Sequence, residues 1–174
     1  MIMTSRHSEE EKPWKTDLAR KSVQRREEVL RELEEVIKKA PSFEEALLRA
    51  VETMKRRFAR YSSVTTYVAD GENLVVHTAL ERPTGPERVR SDEGPLGKAA
   101  HKEGPTVVSD LSSNEAWAEV GLSKGSAMVA PVRTEAGLWA ILEVWSDFRE
   151  AFGSQDVRLL DRVTAALARK TPAA

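Results

Sequence analysis

The chain contains no cysteine in 174 residues. That absence removes disulfides, thiolate nucleophiles, Cys-bound zinc and thioether-linked chromophores from consideration, whatever the fold. An excess of one charge is also lacking: 27 Lys and Arg stand against 28 Asp and Glu, a net charge of -1. Such a balance provides no global field to gather nucleic acid or an anionic membrane, so neither is expected as a partner. No apolar run approaches the roughly 20 residues that span a bilayer, and the opening MIMTSRHSEEEKPWK has no secretory apolar stretch. The expected location is the cytoplasm. Three scattered histidines show no metal-ligand spacing, so no metal and no cofactor are expected.

What remains is enough chain for one domain of about 130 to 150 residues with a helical extension. Residues 1–16 are polar, highly charged and interrupted by Pro13, and read as a tail. Trp14 within it reads as a chance exposed aromatic or a dimer contact. Residues 17–40 read as a helix whose apolar stripe is Val23, Leu30, Leu33 and Ile37, spaced by seven, three and four. Glu27 with Arg31, Glu34 with Lys38 and Glu35 with Lys39 support that helix, each by a few tenths of a kcal/mol. A stripe so narrow needs a partner helix, either the C-terminal one or that of a second copy. The expected homodimer interface is Val23, Leu30, Leu33 and Ile37, with Leu160 and Leu167, in a coiled-coil-like pairing.

Ser42 and Glu45 form a capping box for a second helix, with Phe43, Ala46, Leu47, Ala50, Val51, Met54 and Phe58 on one apolar face. Lys55, Arg56, Arg57 and Arg60 at its end read either as a complement to the helix terminus or as a small anion patch. Strands are predicted over Val64 to Ala69 and Leu74 to Leu80, joined by the turn Asp70-Gly71-Glu72-Asn73. Arg82 to Pro86 reads as loop and Glu87 to Ser91 as a short strand, followed by a helix over Pro95 to Lys102. Thr106 to Asp110 is a strand and Asn114 to Val120 a helical turn. Two central strands, Ala127 to Arg133 and Leu138 to Ser146, precede a final helix from Ser154 to Arg169, capped by Ser154 and buried through Val157, Leu160, Val163 and Leu167.

From Ser42 to Ala168 the sequence resembles a GAF domain. The resemblance rests on five features in order: GPLGKAA, the SDL after a strand, GSAMVAPV, GLWAILEV, and FGSQDVRLL opening the last helix. It implies an α+β, GAF-like (profilin-like) fold over residues 41–170, leaving 171–174 as a tail. In that fold a six-stranded antiparallel sheet carries the terminal helices on one face and short helices and loops over a ligand pocket on the other. It also implies pairing through the helical face, as in many family members.

Alternation places Trp139, Ile141, Glu143 and Trp145 on one side of their strand and Leu138, Ala140, Leu142 and Val144 on the other. A carboxylate between aromatics in a central strand is costly unless partnered. Two readings of Glu143 stand. In one it lines a ligand pocket with Trp145, accepting hydrogen bonds from an amine or amide while the indole stacks on the ligand. In the other it pairs with an Arg or backbone amides, or reaches solvent. Thr65, Tyr67 and His77 are the expected pocket neighbours on the hairpin, with Trp117 and His101 on the roof.

Set beside the free methionine sulfoxide reductases of the same family, Glu143 falls where a ligand-binding acid is expected. Trp145 and Ala127 replace other acids, and Leu96 stands in place of a catalytic cysteine. Sulfoxide reduction, which needs a sulfur nucleophile, is therefore not expected. The N-K-x-F-x-D-E pattern of cyclic-nucleotide-binding members is absent, and a bilin has no cysteine to bind. The expected function is a sensory, regulatory, small-molecule-binding module, without catalytic residues, that signals through a helical dimer and a partner protein. The alternative is a non-catalytic interaction module with a degenerate pocket.

Overall fold

A computed structural model describes residues 13–81 and 86–173, with side chains from residue 17 onward. Helix α1 (Pro13–Lys38) begins four residues earlier than the sequence suggests. Proline interrupts a helix from within, but it suits the first position, where its missing N–H has no intrahelical partner to lose. Pro13 thus opens α1, and residues 1–12 of the expected tail lie outside the described residues. Helix α2 (Phe43–Arg57) follows, with Ser42 accepting from the Glu45 N–H at 3.1 Å as the capping box requires.

Strands β1 (Ser63–Asp70) and β2 (Asn73–Leu80) form the expected hairpin, and β3 (Arg88–Arg90) pairs beyond β2. After the short helix α3 (Gly94–Ala100) come β4 (Thr106–Val108), a 3-10 turn at Leu111–Ser113 and α4 (Glu115–Glu119). That turn is absent from the sequence reading, although Asp110, which accepts from the Ser112 N–H at 3.0 Å, signals it. Strands β5 (Ser126–Thr134) and β6 (Gly137–Ser146) then lead to α5 (Ser154–Ala168). The six strands lie in the order β3-β2-β1-β6-β5-β4, all antiparallel, so β1 and β6 are central.

The sheet separates two cores. On one side α1, α2 and α5 bury Leu33, Leu47, Met54, Leu160 and Val163 against Val64, Met128, Leu142 and Val144. On the other, Leu96, Ala100, Leu111, Trp117 and Leu122 cover Tyr67, Ala127, Val129 and Ile141. The α1 stripe therefore finds its partner helices within the chain. Leu30, Leu33 and Ile37 are buried, as are Leu160 and Leu167, because α2 and α5 both pack on α1. Of the six residues expected between two copies, Val23 alone is exposed, at 43%.

The first turn of α5 also differs from expectation. Gly153, not Ser154, precedes the helix, and Asp156 reaches back to accept from the Gly153 N–H at 2.9 Å. Asp156 is itself buried, and accepts from Tyr61 Oη at 2.8 Å and from Arg26 at 3.1 Å. Burial, and then the negative charge of Asp156, push the Tyr61 phenol well above its ordinary range. Tyr61 is flanked by Phe58 and Phe152, with ring centroids 4.5 and 5.7 Å away.

Candidate functional site

The site is built on β1 and β6. Paired residues in antiparallel strands share a face, so Thr65 opposite Glu143, Tyr67 opposite Ile141 and Ser63 opposite Trp145 all point to the roof side. On the other flank of β6, Val129 faces Glu143 and Ala127 faces Trp145. Glu143 is 2% exposed and Thr65 is fully buried. Among the described residues the hydroxyls of Ser63 and Thr65 make no hydrogen bond. Ser63 was not among the expected site residues, though it lies two positions before Thr65 and the same alternation reaches it.

Two residues expected on this face sit elsewhere, for a common reason. Between Val132 and Arg133 of β5, β6 carries one residue more, and that residue is Trp139. The bulge breaks the alternation. Leu138 turns to the roof-side core, while Trp139 joins the helix side, edge-on to Phe43 with ring centroids 6.0 Å apart and its Nε1 donating to Thr134 Oγ1 at 2.9 Å. A second bulge between β1 and β2 makes His77 the extra residue; it is exposed, 2.9 Å from Thr78 Oγ1 through Nδ1. His77 does not reach the buried face.

Trp145 is half-buried, but its indole N–H is already committed, donating to the Lys124 carbonyl at 2.8 Å. Its ring packs on the roof-side core while its polar edge closes the loop before β5. Gly125 makes this loop possible. With φ +82 it adopts the left-handed region, and a Cβ there would lie 1.9 Å from the Ser146 carbonyl oxygen.

The roof consists of α3, the 3-10 turn and α4. Leu96, Ala99 and Ala100 are buried beneath α3, and Trp117 is 3% exposed. Arg133 donates to the Ala100 carbonyl, fastening the C-terminal end of α3 to β5. His101, expected over the pocket, is instead exposed at the end of α3. Between α3 and α4 a cleft of about 310 Å³ opens to solvent. Its inner wall includes Ala99 and Trp117, its rim carries Lys98 and Lys102, and the buried Thr106 hydroxyl beside it makes no hydrogen bond among the described residues.

The family model of the GAF domain matches residues 40–169. The chain belongs to the GAF domain family. Solved GAF structures agree with the fold: a putative GAF sensor protein from Burkholderia vietnamiensis superimposes with a TM-score of 0.77 at 17% identity, over 86% of this chain and 94% of that one. A free methionine-R-sulfoxide reductase from Neisseria meningitidis, in complex with its substrate, gives 0.75 at 22% identity over 83% and 87%. The GAF domain of a phosphoenolpyruvate-protein phosphotransferase from Coxiella burnetii gives 0.73 at 18% identity over 84% and 92%. A search of the curated proteins found no match. Within this GAF domain the terminal helices and the roof occupy opposite faces of the sheet, with Glu143 beneath the roof. Among the described residues no helix is long and apolar enough to cross a membrane.

Proposed function

We propose that the chain is a non-catalytic regulatory module that binds a small polar molecule on the roof side of the sheet, at Glu143, Thr65 and Ser63. The observation that carries this reading is the pair of buried hydroxyls without hydrogen bonds beside a buried carboxylate. Leaving such a group unsatisfied costs about 1 to 3 kcal/mol, which a ligand donor or acceptor would offset. Thr66, on the helix side, also has a hydroxyl without a bond. An orphan hydroxyl is therefore no marker by itself, and the neighbouring carboxylate distinguishes the roof side.

The cleft between α3 and α4 is the entry route in this reading, with Trp117 moving aside to admit the ligand. The enzyme chemistry of the sulfoxide reductases is not carried over, since the chain holds no thiol in 174 residues. Thermal-shift measurement against a panel of small metabolites tests the reading, because a ligand that binds the folded state raises its stability by mass action. A metabolite that binds should lose at least about tenfold in affinity in Glu143→Gln or Thr65→Val, equivalent to about 1.4 kcal/mol. Equal binding to both variants would place the ligand elsewhere.

A second reading concerns pairing. Residues 17–25 of α1 are exposed throughout and include Leu18 at 59% and Val23 at 43%. We infer that this half of α1 pairs with a second copy, and that a signalling partner reads the resulting bundle. Light scattering of Leu18→Asp with Val23→Asp should show monomer where the parent chain shows dimer. A monomeric parent chain would refute this pairing.

A further inference from the structure

The basic residues that close α2 have an arrangement that the sheet site does not use. Lys55 pairs with Glu81 at 2.7 Å, and Arg56 and Arg57 share Glu32 at 2.6 and 3.2 Å. Arg60 has no ion pair among the described residues, and neither does Arg25 on α1. Both border one cleft of about 220 Å³ between α1 and the α2–β1 connection, lined by Ser22, Arg25, Arg26 and residues 57–60. Four of these seven residues are arginines.

We propose that this cleft is a second ligand site, for a small phosphorylated molecule, and that its occupation ties the N-terminal half of α1 to the body of the domain. The chemistry is that of the guanidinium group, whose planar fork of donors matches phosphate oxygens two at a time. Arg26 supplies an inward-facing donor. One nitrogen binds Asp156 and another binds Gln155 Oε1 at 2.7 Å, but its buried Nε makes no hydrogen bond among the described residues. Ser22 adds a hydroxyl from the same face of α1. Among the residues lining this cleft, Arg26 is answered by Asp156 and Arg57 by Glu32, while Arg25 and Arg60 have no ion pair among the described residues; Glu150 lies beyond Arg60, on the neighbouring cleft.

The site also has room for more than the phosphate. A neighbouring cleft of about 430 Å³ shares Ser22, Arg26 and Arg60 and runs past Ala151 and Phe152. A phosphate seated among the arginines can therefore carry an organic group into the second cleft. The geometry also sets the effect of binding. Ser22 and Arg25 lie in the exposed half of α1, whereas Arg57 and Arg60 belong to the body, so a dianion between them bridges the two.

Inorganic pyrophosphate is the probe, titrated calorimetrically into the full chain, with sulfate at equal ionic strength as the comparison. Saturable binding is expected, weakened at least tenfold in the Arg25→Gln, Arg60→Gln double variant. Both side chains are exposed, so that variant should fold. The Arg158→Gln, Arg169→Gln double variant, which removes two charges from exposed positions on and just after α5, should bind as the parent does. Binding no tighter than sulfate, or binding retained in the double variant, would overturn the site. Hydrogen exchange tests the coupling: amides of residues 20–28 should gain protection at saturating pyrophosphate, and unchanged exchange there would overturn the tie to α1.

Discussion

Tyr61 donates a 2.8 Å hydrogen bond to Asp156 across 95 positions of sequence, joining the entrance of β1 to the first turn of α5. The same carboxylate takes Arg26 from α1 and the Gly153 N–H. Three segments that carry the helical face thus meet at one buried acid. Asp156→Ala should destabilise the chain by about 3 kcal/mol, because it strands a half-enclosed guanidinium, a phenol and a helix-start N–H together. Urea unfolding measures this as a lower midpoint at unchanged slope. A loss under about 1 kcal/mol would show that these groups find other partners.

The phenol sets a pH dependence. Its folded-state pKa is raised, first by burial and then by Asp156, so the folded chain holds this proton more tightly than the unfolded one. The stabilisation is complete below the unfolded value of about 10 and is lost as pH climbs beyond it. Stability measured from pH 9 to about 11 should therefore fall more steeply in the parent than in Tyr61→Phe. Parallel curves would refute the assignment.

Two glycines with left-handed backbones should respond differently to alanine. Gly71, at φ +60 in the β1–β2 turn, has nothing within 4 Å of the place a Cβ would occupy, so Gly71→Ala should cost about 1 kcal/mol. At Gly125 a Cβ would strike the Ser146 carbonyl oxygen, and relief requires pulling β5 from β6. Gly125→Ala should cost several-fold more, about 3 kcal/mol or above. Thermal unfolding of the two variants side by side makes the comparison.

Trp139→Ala should lower stability by about 2 to 3 kcal/mol, less than for a fully buried aromatic because the side chain is half-buried. It should leave ligand affinity at Glu143 unchanged wherever the protein remains folded, because Trp139 packs on Phe43 across the sheet. A change in affinity without a change in stability would put Trp139 on the roof side with Glu143.

Arg133→Gln removes the fastening of α3 at Ala100. The side chain is exposed, so global stability should shift by less than about 1 kcal/mol. Hydrogen exchange of residues 97–102 should quicken, reporting a looser roof. Unaltered exchange would mean that packing of Leu96 and Ala100 holds the roof unaided.

The order of elements was legible because period-two alternation and turn residues mark the strands, while the capping box at Ser42 marks α2. Glu143, Thr65 and Tyr67 were placed together by the same alternation. It failed where a strand carries an extra residue: neither Trp139 nor His77 sits beside a Gly or Pro that would signal a bulge. The α1 stripe disclosed its need for a partner but not the partner's location. Intra- and intermolecular packing demand the same pattern, and only the path of α2 and α5 decides between them. The Tyr61, Asp156 and Arg26 junction has no periodicity to betray it. Its members are brought together by the closing of the chain.

In β6, Leu142 and Val144 face the helices while Glu143, between them, faces the roof. The two compartments of the domain share a wall one backbone thick. Glu143 is one peptide unit away from the helix-side core in either direction along the strand, so a substitution there borders both compartments at once.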